Sequence, residues 1–152
     1  MNEQLQKYAV LAEVISALAV VVTLIFLLIG IRDNTAINKA QMFEKLLSDI
    51  NQHNLTILQD PDLSRIWFAR SPDLPDTLSE DDLGRLNYMY RIVFRIYDAA
   101  FYSNRYGFLG EGEWARIEVG LCGIRRSMAD EMWRSNQDAM SGEFIEFVEK
   151  NC

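Results

Sequence analysis

Read for its apolar and polar positions, the chain divides near residue 32. Val10 to Ile31, VLAEVISALAVVVTLIFLLIGI, is apolar on every side, with Glu13 its one charge and no proline. Its twenty-two positions, at about 1.5 Å each in a helix, reach roughly 33 Å against a hydrocarbon core of about 30 Å. The segment is therefore expected to cross a membrane. A cleaved leader would show a basic start, a shorter apolar core and a small-x-small site, and none of these is present. A helix buried in a soluble core would suit a run of about ten to fourteen residues.

Beyond the span the pattern becomes one-sided. Ile37, Ala40, Phe43, Leu47 and Ile50 recur every three or four positions, with Leu46 and Leu55 beside them. Two readings follow: one helix of about 70 Å running on from the span, or a break at Asn34 and Thr35, either of which could cap a second helix. Asp60-Pro61-Asp62 ends this segment and starts a short helix with Leu63, Ile66 and Trp67 on one side. Ser71 to Thr77, with two prolines, predicts a loop.

Ser79 and Asp82 resemble a capping box, with Glu80 and Asp81 favouring the positive end of the helix that follows. That helix, Glu80 to about Arg105, carries Leu83, Leu86, Met89, Tyr90, Val93, Phe94, Tyr97 and Phe101 at burial spacing, with Ile92, Ile96 and Ala100 widening the arc. Gly107 and Gly110 end it. The next helix buries Trp114, Ile117, Leu121 and Ile124, with Val119 and Cys122 alongside and Met128, Met132 and Trp133 after a bend. Ser141 caps a last helix with Phe144, Ile145, Phe147 and Val148. No stretch alternates like a strand, so the expected class is all-α: one N-terminal transmembrane helix extending into a cytoplasmic helical bundle. The expected division is a short tail over 1–9, the span over 10–32, a membrane-proximal amphipathic helix over 33–59 and a helical domain over 60–152.

The faces of the span differ. Leu5, Ala9, Ala12, Ser16, Ala19, Thr23, Phe26 and Gly30 follow one another in steps of four and three, and most are small or weakly polar. Helices in lipid associate by close backbone approach over such residues. Ala9, Ala12, Ser16, Ala19, Thr23 and Gly30 therefore form the expected helix-contact face. Glu13 lies one position away and about one turn inside the apolar run. A carboxylate at that depth costs a few kcal/mol unless it pairs, faces water or snorkels, so it either lines a contact or pore or reaches the interface.

Composition adds sidedness and narrows the partners. The net charge of −7 lies almost wholly after the span, which disfavours nucleic acid and anionic lipid. Lys7 precedes the span and Arg32, Lys39 and Lys45 follow it, a bias that places the N-terminus outside and the body in the cytoplasm. Cys122 and Cys152, few and distant, show no disulfide framework and fit a reducing compartment.

Signals for chemistry are sparse. His53 lies between Gln52 and Asn54 and reads as an exposed surface residue; with one histidine and two distant cysteines no zinc spacing can be written. Gly107 to Gly112 superficially resembles a phosphate loop, but it follows a helix, lacks lysine and carries an acid. Asp73, Asp76, Glu80, Asp81 and Asp82 read as solvated capping charges, not a calcium loop. Arg95 and Asp98 are spaced for an ion pair; the sharper alternative is a small anion held by Arg91 and Arg95.

LAEVISALAVVVTLIFLLIGIRDNT, then DPDLSRIW, then DAAFYSNRYGFL and GEGEW resemble a family of small bacterial membrane proteins with one N-terminal span ending in an I-R-x-N-T element, here Ile31, Arg32, Asn34 and Thr35. The likeness runs from Leu11 to Val148. It implies bacterial origin, an inner-membrane location and an all-α body, and it brings no activity and no site residues.

The leading expectation is a non-enzymatic, cofactor-free single-span protein that self-associates through its span into an assembly, scaffold or pore. Its expected partners are membrane lipid and itself. An accessory subunit binding a larger membrane complex through the same stripe is the alternative, and a ligand sensor using Arg91 and Arg95 is a further one.

Overall fold

A computed structural model describes the backbone of residues 3–70 and 77–152, and within it the side chains of all but 3–7, 10 and 14. The described residues are helical, without strands: α1 Glu3–Gln59, α2 Pro61–Phe68, α3 Glu80–Arg105, α4 Glu111–Arg126, α5 Asp130–Asn136, a 3-10 turn Gln137–Ala139, and α6 Gly142–Asn151. The chain forms two compact units, Met1–Ala40 and Gln41–Cys152, with α1 contributing to both. The expected loop at 71–76 lies outside the described residues.

In Met1–Ala40 no described side chain is buried. Leu11 to Ile31 is apolar but for Glu13 and its described side chains are exposed, and the expected N-terminal tail is already helical from Glu3. Asn34 and Thr35 cap nothing: the Thr35 hydroxyl donates to the Ile31 carbonyl at 2.8 Å, one turn back inside α1. Of the two readings at this join, the uninterrupted helix is the one observed.

Gln41–Cys152 has a core. Here α1 turns Leu46, His53 and Ile57 inward, with Met42, Phe43 and Ile50 half-buried beside them. The inward face is thus 46, 50, 53 and 57; Ile37, Leu47 and Leu55, which the sequence pattern also offered, are exposed. Asp60 caps α2 by accepting from the Asp62 and Leu63 amides at 2.9 and 3.1 Å, with Pro61 in the first turn. The Ser79 box closes reciprocally: the Asp82 amide donates to Ser79 Oγ at 3.2 Å and the Ser79 amide to Asp82 Oδ2 at 3.1 Å. Arg65 also donates to Asp82 at 2.8 Å, tying α2 to the start of α3. That guanidinium, with the Ser79 amide, holds the Asp82 carboxyl down at about 2.

From α3, Leu86, Met89, Tyr90, Val93, Phe94, Tyr97 and Ala100 are buried, whereas Ile92 points outward. Gly107 takes the left-handed conformation (φ 73°) that ends α3, and the Phe108 amide returns to the Ser103 carbonyl at 2.8 Å. α4 buries Ile117, Leu121 and Cys122 and leaves Val119 75% exposed. Where α4 crosses α3, a Cβ on Gly120 would lie 2.8 Å from Tyr97 Oη, so this position admits only hydrogen. Met128, Met132 and Trp133 belong to a separate buried turn and α5. Ser141 caps α6, whose Phe144 and Val148 are fully buried.

Two aromatic runs describe this core. His53, Trp67, Tyr90, Phe94 and Trp133 follow one another from α1 through α2 and α3 to α5, the outer two pairs edge to face and the inner two tilted, with ring centroids 5.2–6.3 Å apart. Phe101, Trp114, Phe144 and Phe147 join α3, α4 and α6. Such pairs contribute about 0.5–1.5 kcal/mol beyond area burial.

Candidate functional site

Of the small-residue face of α1, Ala9, Ala12, Ser16, Ala19, Thr23 and Gly30 are all exposed, and Leu5 lies outside the described side chains. The Thr23 hydroxyl donates to the Ala19 carbonyl at 2.8 Å, so its polarity is met within its own helix. A residue so satisfied can face lipid or another helix at little cost. Glu13 is also exposed.

Arg91 and Arg95 part company. Arg91 is half-buried and paired with Asp138, beside the 3-10 turn. Arg95 is exposed and makes no ion pair among the described residues. The expected Arg95–Asp98 pair is not formed, because Asp98 turns to Ser141 instead. It accepts from the Ser141 amide at 3.0 Å and the Ser141 hydroxyl at 2.7 Å, and so fixes the start of α6. Arg105 and Tyr102 hold α6 a second time through Glu143.

His53 corrects the sequence reading. It is 7% exposed, packed edge-on to Trp67 at 5.6 Å and 81°, and Nε2 has no partner. Its neighbours Gln52 and Asn54 are polar and exposed, which disguised it. Its place seven residues after Leu46 and four before Ile57 puts it on the inner face. Burial pushes the imidazole below its usual value. Asp49, Gln52 and Thr56 of α1 and Ile92 and Ile96 of α3 form an open groove over it.

A larger groove of about 590 Å³ lies between α2 and α3, floored by Leu63, Gly84, Tyr88, Met89 and Ile92 and edged by Glu80, Asp81 and Arg85. Arg85 is already bound to Asp81 at 2.9 Å, leaving no free cation on its rim. Among the described residues no three His, Cys, Asp or Glu side chains gather as a metal set.

The cysteines are the second correction. Cys122 of α4 and Cys152, which follows α6, are bonded as a disulfide with Cα atoms 4.8 Å apart. Sequence distance concealed this because α5 and the 3-10 turn fold α6 back along α4. The expectation of separate thiols, and with it half of the argument for a reducing compartment, is withdrawn.

The features capable of binding among the described residues thus include the exposed apolar surface of α1 and several open grooves. Comparison with protein-family models, curated proteins and solved structures gives no match to this chain.

Proposed function

We propose that this chain is a single-span protein of the bacterial inner membrane that self-associates through its transmembrane helix, forming a homo-oligomeric scaffold or pore. One observation carries the reading. The most apolar stretch of α1, with mean hydropathy 3.0, has none of its described residues buried within the chain. A core helix would be covered by its own protein; one left bare needs lipid, other helices, or both. The small residues supply a face for close helix approach, and Leu47 and Leu58, exposed farther along α1, fall in the same three-and-four spacing.

The test is the mass of the gently extracted full-length protein by native mass spectrometry, before and after Ala12→Leu, Ser16→Leu and Ala19→Leu together. A discrete oligomer that falls to monomer in the variant is expected. A monomer from the start removes self-association. Co-purifying larger subunits lost in the variant would transfer the stripe to the accessory role.

A further inference from the structure

We infer that the body of this protein, Gln41–Cys152, works in an oxidising compartment on the extracytoplasmic side of the membrane, the reverse of the orientation its flanking basic residues suggest. The inference rests on the reading of α1 as a retained span and on the Cys122–Cys152 bond.

The chain has two cysteines, and the fold brings these two together from separate elements. Their meeting does not depend on the bond. α6 is placed by Ser141 on Asp98, by Glu143 on Arg105 and Tyr102, by Gln137 donating to Glu149 at 3.0 Å, and by the buried Phe144 and Val148. These contacts seat α6 on α3 and the 3-10 turn, Phe147 packs on Trp114 of α4 with ring centroids 5.6 Å apart, and Arg126 Nε adds a hydrogen bond to the Cys152 carbonyl at 3.4 Å. The two thiols are therefore presented to each other by the folded body, and the compartment alone decides whether they stay reduced. Reducing cytoplasm keeps such pairs open; periplasm and cell surface close them.

Closure is a balanced exchange with a disulfide-bearing oxidant. The Cys122 thiolate attacks the oxidant's disulfide, forming a mixed disulfide and releasing one oxidant thiolate. The Cys152 thiolate then attacks Cys122 Sγ and expels the second. Two protons and two electrons leave the protein, and the oxidant becomes a dithiol.

The opposing signal is weak for a reason of size. Basic residues orient short loops, of up to about 60 residues, whereas long domains cross largely regardless of charge. Here residues 33–152, well beyond that length, lie after the span, and the excess is Arg32, Lys39 and Lys45 against Lys7.

Thiol counting in intact cells tests this directly. Cells making the full chain are quenched with acid and alkylated with a large maleimide, with and without prior reduction. No mass shift before reduction and two after are expected; two shifts before reduction overturn the inference. Sidedness is read separately with Val119→Cys in a Cys122→Ser/Cys152→Ser background, using a membrane-impermeant maleimide on spheroplasts. This readout needs no intact fold. Labelling without lysis is expected, and labelling only after lysis overturns the inference even if the disulfide forms. Alkaline extraction of the same membranes tests the span itself: release by alkali removes the anchor reading, and thiol counting and labelling still decide the compartment.

Discussion

Leu24 and Leu46 stand on the same helix, yet one is 52% exposed and the other 3%. Around Leu46, α1 was supplied with a partner by its own chain: Ile57 and His53 share its face, and Trp67 and the aromatic run of α3 complete it. Around Leu24 no described residue does the same. Helical propensity and hydrophobicity are high in both places, so neither explains the difference. What separates them is the covering surface: Gln41–Cys152 supplies its own, and the described apolar residues of Met1–Ala40 are left exposed.

That contrast is broken most strongly by the same truncation made in each region. Phe144→Ala, at a fully buried site, is expected to cost the body about 3–5 kcal/mol while leaving the protein in the membrane fraction. Leu24→Ala should move the urea midpoint of the body by less than the equivalent of about 0.5 kcal/mol. Comparable losses from the two would mean that the apolar segment packs on the body after all. Gly120→Ala sharpens the picture within the body. Its methyl would meet the Tyr97 hydroxyl at 2.8 Å, and an overpacking cost of about 1–3 kcal/mol is expected; a stable variant would show that the Tyr97 side chain gives way.

The smallest effect is the most local. Because burial favours neutral His53, its folded pKa lies below the ordinary value of about 6.5. As pH falls through 6.5 the unfolded chain takes up the proton first, so stability declines from there down to the folded pKa and then levels. Asp49 lines the groove over His53 and opposes this, though it is already held by Lys45 at 2.8 Å. Between pH 7.5 and 5.5 the native chain should lose more stability in urea titration than His53→Leu does. Equal losses would mean that His53 is accessible to protons in the folded body.

Much of this architecture was legible because it is written locally. Asp60, Ser79 and Ser141 announce their caps through side chains that reach only two or three residues, and the period of Leu86 to Tyr97 declares its buried side without reference to any other helix. What escaped was set by contacts distant in sequence. Asp98 is three residues from Arg95 and forty-three from Ser141, yet it binds Ser141. Proximity on a helix offered one partner and the return of α6 delivered a better one. His53 was masked by the polarity of its neighbours, although its spacing from Leu46 and Ile57 was visible. The cysteine bond could not be read at all from spacing, since it requires the reversal between α4 and α6. For the apolar segment length and polarity were legible, and the fold adds that none of its described residues is buried.

All three tryptophans, Trp67, Trp114 and Trp133, lie in Gln41–Cys152, and none lies in the apolar span. Trp67 is sandwiched between the His53 ring and the Arg70 guanidinium, which sits 4.3 Å from its ring centre, and Trp133 lies against Phe94. The protein thus carries an optical division of labour. Its tryptophan emission, excited selectively at the red edge of the absorption band, comes from the body alone and shifts to longer wavelength when that body opens to water. The apolar segment carries no tryptophan, so folding of the body can be followed in detergent or bilayer without added dyes.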